Sequence, residues 1–205
     1  ARPLVLSGRR CREIGVVQLL VKGTTDLARS LDIDPERLVI DPSMERGWKA
    51  SVVSLSGPIS SDNVARVRVR LEEAITKKSN FLCLKIDSAG GSPEQSLVLA
   101  RWLRDINSAE VKTVAYIPNQ ARSDAALIAL ACDEVVMNET AVLGGEGAAT
   151  IDARQADAIE TAWQQIMQEN LKTLEALPLA LVLPEYQVSR FVQQSTGRTE
   201  YFSAS

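Results

Sequence analysis

The sequence predicts an α/β fold with a mainly parallel sheet flanked by helices. Short apolar runs typical of buried strands alternate with segments whose apolar residues recur at helical spacing. The run Phe81–Ile86 leads into a Ser-Ala-Gly-Gly turn at Ser88–Gly91, and Pro93 then suits the first turn of a helix. Repeated strand–helix–strand units of this kind form parallel sheets with crossover helices.

Each element of this prediction follows from a local pattern. Apolar or alternating runs predict strands at Ser51–Ser56, Phe81–Ile86, Thr113–Ile117, Glu134–Met137 and Ala141–Leu143. Apolar stripes at helical spacing and runs of small apolar residues predict helices at Asp62–Lys78, Pro93–Ile106, Ser123–Ala131, Ala153–Leu177 and Glu185–Gln194. The glycine-rich stretch Gly144–Gly147 predicts a mobile loop, and Asp133 is predicted to be a helix-end or turn partner.

Composition limits the classes of protein and of site. The 205 residues are 45% hydrophobic and 24% charged, as in one globular domain with an appendage. A net charge of −3 gives non-specific nucleic-acid binding no electrostatic support. The chain has no histidine, so it cannot form a Ser–His–Asp triad by itself. Its three cysteines are widely spaced, and we predict no metal site and no cofactor.

Two segments carry the residues most typical of chemistry. Gly90 and Gly91 follow a strand and expose backbone N–H groups, while Ser123 begins a helix of small residues. Ligands of parallel sheets bind beyond the carboxyl ends of the strands, so both segments are expected to share one crevice. A hydroxyl facing such N–H groups is the layout of a nucleophile beside an oxyanion hole.

This order of motifs resembles the ClpP/crotonase superfamily. It is most similar to the membrane-associated serine peptidases of the signal peptide peptidase A and NfeD type. Those proteins carry Asn/Asp-Ser/Thr-Pro-Gly-Gly where this chain has Asp87–Gly91, and an aspartate ten residues after the serine, as Asp133 follows Ser123. The resemblance covers residues 50–205 and implies a ClpP/crotonase-like fold of repeated ββα and βαβ units.

The resemblance also implies a site and partners. Ser123 would be the catalytic nucleophile, and the backbone N–H groups of Gly90, Gly91 and Asp124 would form the oxyanion hole. The substrate would be an extended hydrophobic peptide, and the protein a homo-oligomer. The parent protein would be bacterial and membrane-associated or periplasmic, with this fragment soluble.

The general base is the difficult part of this assignment. The family uses a neutral lysine, but the matching stretch 150–155 contains none, and Arg154 does not give up its proton at working pH. Lys172 is the only lysine after Ser123 and the remaining candidate within the chain. Otherwise a second peptidase-like unit of the parent chain supplies the base, or the domain is inactive.

Several alternatives stay open at this point. Ser123 is equally typical of a helix N-cap, and the glycine pair of a tight strand-to-helix turn. The Asp124 side chain would repel an oxyanion if it pointed towards it. The domain could be an inactive homologue acting as an oligomeric scaffold. It could also be a crotonase-like acyl-CoA enzyme, since Ala129–Asp133 resembles a crotonase motif, although no glycine stands at 121–124.

The sequence also suggests two units. Residues 1–49 resemble the tail of a preceding peptidase-like unit, and residues 50–205 resemble a second unit that lacks its own tail. We therefore expect a tandem parent protein, of which this chain crosses the junction. The alternative is a single domain with an N-terminal strand extension.

Overall fold

A computed structural model describes residues 4–32, 47–148, 151–167, 179–183, 187–192 and 199–204. The strands are β1 (Val5–Ser7), β2 (Leu19–Val21), β3 (Ala50–Ser56), β4 (Phe81–Asp87), β5 (Lys112–Ile117), β6 (Gln120–Ala121), β7 (Glu134–Asn138), β8 (Val142–Gly144), β9 (Gln187–Val192) and β10 (Thr199–Ala204). The helices are α1 (Gly8–Glu13), α2 (Thr24–Ser30), α3 (Ser61–Thr76), α4 (Pro93–Arg104), α5 (Ala125–Leu130) and α6 (Ala153–Met167).

The main sheet has five parallel strands in the order β2-β7-β5-β4-β3. A smaller sheet has the order β1-β8-β6, in which β1 is antiparallel to β8 and β6 is parallel to it. β9 and β10 form a separate antiparallel pair. The predicted α/β class with a mainly parallel sheet is confirmed.

The core occupies both faces of the main sheet because successive residues of a strand point to opposite sides. On β4, Leu82, Leu84 and Ile86 belong to the larger apolar cluster. Phe81 and Cys83 belong to a second cluster that includes residues of α2. Helices therefore cover both faces, as a buried parallel sheet requires.

The predicted elements mostly agree with the structure, with one clear error. The helix expected at Glu185–Gln194 is wrong, because Gln187–Val192 is the strand β9. This segment contains valine and phenylalanine, which favour strands, and it pairs along its full length with β10. The helix expected at Ala153–Leu177 is observed as far as Met167, and its remainder lies outside the described residues.

The N-terminal segment pairs with strands from the later part of the chain. Leu6 of β1 lies opposite Leu143 of β8, and Leu20 of β2 lies opposite Met137 of β7. These pairings place β1 and β2 at the edges of the two sheets. The expected division into units at 1–49 and 50–205 stays a prediction.

The described helices include none with the length and apolar composition needed to cross a bilayer.

Asp133 is a turn partner, as predicted. Its Oδ2 accepts the backbone N–H of Thr113 at 2.7 Å and the Thr113 hydroxyl at 2.8 Å. The Asp133 N–H in turn donates to Thr113 Oγ1 at 2.9 Å. These bonds connect the end of α5 to the first residues of β5. That end of β5 is remote from Ser123, which follows β6.

We expect Asp133→Ala to lower the free energy of unfolding by about 1–3 kcal/mol, because the N–H of the buried Thr113 loses its acceptor. Urea unfolding followed by circular dichroism measures this. Asp157→Ala, at an exposed position of α6, is the control and should change stability by less than about 0.5 kcal/mol. Equal effects of both substitutions would contradict the assignment.

Candidate functional site

The structure brings together the glycine turn (Ser88–Gly91) and the serine segment (Gln120–Asp124) beyond the carboxyl ends of β4 and β5. The Ser88 N–H donates to Gln120 O at 3.0 Å, and the Arg122 N–H donates to Ser88 O at 3.0 Å. A Cβ built on Gly90 would lie 3.1 Å from Ser123 Cβ. The expectation that both segments share one crevice is therefore met by the backbone.

Ser123 has an unusual conformation for its residue type. Its φ is +48°, in the left-handed region, and its exposed fraction is only 3%. Such a conformation costs a non-glycine residue on the order of 1–3 kcal/mol unless its surroundings hold it in place. Here the Ser123 N–H donates to Gly145 O at 3.1 Å.

The interpretation of Ser123 as a helix N-cap is wrong. α5 begins at Ala125, and its N-cap is Asp124. The left-handed φ of Ser123 bends the chain one residue before the cap, so the serine lies in the turn between β6 and α5 rather than at the first position of the helix.

The N-cap residue itself turns its side chain towards the glycine pair. Asp124 Oδ1 accepts the Gly91 N–H at 2.9 Å, and Oδ2 accepts the Ser96 hydroxyl at 2.6 Å. The Gly90 N–H donates instead to Ser88 Oγ at 3.1 Å. Both glycine N–H groups that were predicted to hold an oxyanion therefore already have an acceptor.

The Asp124 carboxyl group is fully buried. Burial raises its pKa above the ordinary value, against the opposing effect of hydrogen bonds from Ser96, from Gly91 and from the Asp124 N–H itself, while the negative charge of Glu94 raises it further. Oδ1 has lone pairs for the Gly91 N–H in the protonated and the ionised state alike. Titration of this group therefore need not release the Gly91 N–H.

The glycine turn has no room for larger residues. Gly90 has a φ of +92°, and a Cβ there would collide with Asp124 Oδ1. A Cβ on Gly91 would lie 2.6 Å from the backbone N of Ile59. Ile59 also pairs with the turn, since its N–H donates to Gly90 O at 3.2 Å and its O accepts the Ser92 N–H at 3.0 Å.

A second segment closes the crevice over Ser123. We name residues Gly145–Ala148 the glycine strap. A Cβ on Gly147 would lie 2.7 Å from Ser123 Cβ and would collide with Ala89 O. The Ala148 N–H donates to Ala89 O at 2.6 Å. The stretch predicted as a mobile loop thus makes specific contacts with both the serine and the glycine turn.

Of the other residues singled out in the sequence, those that the structure describes lie away from Ser123. Lys172 lies outside the described residues. Arg154 is exposed on α6, and Asp133 binds Thr113 at the opposite end of β5. In the described ranges, no group of three or more histidine, cysteine, aspartate or glutamate residues is arranged to hold a metal ion.

Sequence reasoning missed the roles of Ser88, Ser96 and the glycine strap. Ser88 and Ser96 act through their hydroxyls, and a lone serine gives no periodic signal. The strap had a signal, because three glycines in the four residues Gly144–Gly147 indicate close approach as well as mobility.

Solved structures of low sequence identity are similar to this chain. The 1510-N membrane-bound stomatin-specific protease, as a serine-to-alanine mutant, matches at a TM-score of 0.52 and 10% identity over 66% of this chain and 70% of that chain. Its lysine-to-alanine mutant in complex with a substrate peptide matches at 0.51 and 12% identity over 66% of each chain. The ClpP protease catalytic domain from Plasmodium falciparum matches at 0.47 and 13% identity over 63% of this chain and 72% of that one.

No curated protein matches the sequence. Residues 52–179 match the family described as the NfeD1b N-terminal domain. This match covers more than half of the chain and contains the glycine turn, Ser123 and the glycine strap. The protein therefore belongs to the NfeD1b family, and its fold is similar to that of the 1510-N stomatin-specific protease.

Proposed function

We propose that this domain is a peptidase-like module that binds an extended peptide without hydrolysing it. The observation that carries the proposal is the hydrogen bond from the Gly91 N–H to the Asp124 carboxyl group. A serine peptidase needs free N–H donors to stabilise the oxyanion of its tetrahedral intermediate. Here the donor is engaged by a side chain of the same site.

The bond is difficult to replace by a substrate carbonyl. Asp124 directly follows Ser123 in the chain, so its carboxyl group is already present at the site. A substrate carbonyl would have to bind from solution. If it moved away while remaining buried, Oδ1 would lose its partner at a cost of about 1–3 kcal/mol. If it stayed nearby in its ionised form, it would repel the developing oxyanion.

The availability of a general base for Ser123 also favours a non-hydrolytic function. Hydrolysis through Ser123 needs a group that takes the hydroxyl proton. No lysine follows Ser123 within the described residues, and Lys172 lies outside them. The guanidinium group of Arg154 is unsuited to act as a general base. Lys172 or a second peptidase-like unit of the parent chain would have to supply the base.

Peptide binding is supported by the fold. A protease that shares this fold has been solved with a substrate peptide. An extended peptide can pair with exposed backbone as an added strand, which needs no catalytic group. We propose a hydrophobic peptide segment as partner, a homo-oligomer, and a membrane-associated or periplasmic tandem parent of bacterial origin.

A second candidate function is a hydrolysing serine peptidase. Ser123 would be the nucleophile, with the N–H groups of Gly90, Gly91 and Asp124 as oxyanion donors. The left-handed φ of Ser123 favours this candidate, because strained backbone recurs at nucleophiles placed on sharp strand-to-helix turns. No particular contact favours the crotonase-like alternative, which stays a prediction.

Labelling with a serine-directed fluorophosphonate separates the two candidates. We expect no gain in intact mass for the folded protein, because the Gly91 N–H is already engaged by Asp124 and no lysine follows Ser123 within the described residues. Ser123→Ala is the matched control, and circular dichroism verifies that both proteins are folded. A mass gain in the protein that is absent from Ser123→Ala would establish hydrolytic competence and overturn the proposal.

The buried carboxyl group also predicts a pH dependence of stability. Because its pKa is raised, the folded chain retains this proton to a higher pH than the unfolded chain does. Its contribution to the free energy of unfolding is complete below the ordinary aspartate value of 3.8 and is lost as pH rises through the folded pKa. The contribution of the Asp124 carboxyl group to the free energy of unfolding therefore decreases as the pH rises.

Asp124→Asn should remove this loss, since an amide oxygen can still accept the Gly91 N–H without ionising. We expect the stability of the variant relative to the original protein to increase between about pH 4 and pH 8. Urea unfolding across this range measures the difference. Asp157→Asn, at an exposed position, controls for the loss of one charge. A relative stability that decreases with pH would contradict the assignment.

A further inference from the structure

We propose that the glycine strap, Gly145–Ala148, is an internal occupant of the peptide site, and that an extended peptide with glycine over Ser123 displaces it. This inference rests on the proposed peptide-binding function and concerns how the site is opened. The strap then regulates access to the site, and the ligand must have glycine at the position over Ser123.

The strap uses backbone bonds of the kind an added strand would use. At the start of the strap, Gly145 O accepts the Ser123 N–H at 3.1 Å. At its end, the Ala148 N–H donates to Ala89 O at 2.6 Å. One bond is thus made to the serine segment and one to the glycine turn. A peptide lying along the glycine turn would use Ala89 O in the same way.

The side-chain space under the strap defines the ligand. Gly147 lies so close to Ser123 Cβ and Ala89 O that no Cβ fits at its position. A peptide that takes the place of the strap meets the same two atoms. Its residue over Ser123 must therefore be glycine.

The two ends of the strap differ in burial. Gly144 and Gly145 have φ values of +77° and +85°, and the Gly145 N–H donates to Leu181 O at 2.9 Å. Gly145 is buried, whereas residues 146–148 are exposed. Opening can therefore occur about the glycine pair while the buried end stays anchored on Leu181.

The Ala148 bond is the one that opening must break. Ala148 lies at the exposed end of the strap, where water can take over both partners of a broken hydrogen bond. Ser123 is reached only when this end moves, since its exposed fraction with the strap in place is 3%. The strap therefore controls access to the serine.

The first test measures access to position 123 with a thiol. The variant Ser123→Cys would be treated with a maleimide, and the three native cysteines give little background because all are buried. Adding Gly147→Ala, whose methyl group would expel the strap, should raise the rate of modification at least about 10-fold. Adding Gly23→Ala, where no atom lies within 4 Å of the new methyl, should leave the rate unchanged.

The second test measures competition by a peptide. A fluorescent peptide of sequence Leu-Gly-Gly-Glu-Gly-Ala-Ala, identical to residues 143–149, should bind the Gly147→Ala variant at least about 10-fold more tightly than the original protein, because the internal occupant is already displaced. The same peptide with valine at its last glycine should bind neither protein. Fluorescence anisotropy measures both affinities.

Ala148→Pro gives an independent check if Gly147→Ala fails to fold, because proline removes the N–H that binds Ala89 O. It should also raise the maleimide rate. Unchanged maleimide rates in both variants, or equal binding of the glycine and valine peptides, would overturn the strap proposal. Cleavage of the glycine peptide by the original protein would overturn the non-hydrolytic function instead and leave the strap proposal supported.

Discussion

The hydrogen bond between the Gly91 N–H and the Asp124 carboxyl group is the contact on which the site depends. It joins the turn after β4 to the N-cap of α5, and Ser96 of α4 completes it from the other side. Three elements therefore meet at one buried side chain. Gly90 must be glycine for the same reason, since any Cβ there would collide with that carboxyl oxygen.

The position of this carboxyl group explains the conformation around it. Asp124 can face Gly91 because the preceding residue, Ser123, turns the chain with a left-handed φ. That turn directs the Ser123 N–H to Gly145 O, which anchors the glycine strap. Strain at the serine, the bond at the aspartate and closure by the strap are thus parts of one arrangement, and a change at any one of them should alter the others.

Sequence patterns were sufficient for four of the five strands of the main sheet, but not for β2 or for the site. Continuous apolar runs such as Phe81–Ile86 specify buried parallel strands, because both of their faces must be covered. The direction of the Asp124 side chain has no such pattern, since it depends on partners 28 and 33 residues away, at Ser96 and Gly91. The strand β9 was mistaken for a helix because its pairing with β10 decides its conformation, and a short segment does not reveal its partner.

The arrangement separates the two tasks of a peptidase site, which are to hold a peptide backbone and to stabilise a negative charge on it. Backbone pairing needs only the carbonyl and N–H groups along the turn, such as Ala89 O, and these are retained. Charge stabilisation needs a donor without an acceptor, and Asp124 removes that donor at Gly91. In the proposed function, the carboxyl group placed after the serine therefore favours peptide binding over hydrolysis, without any change in the sheet that supports the site.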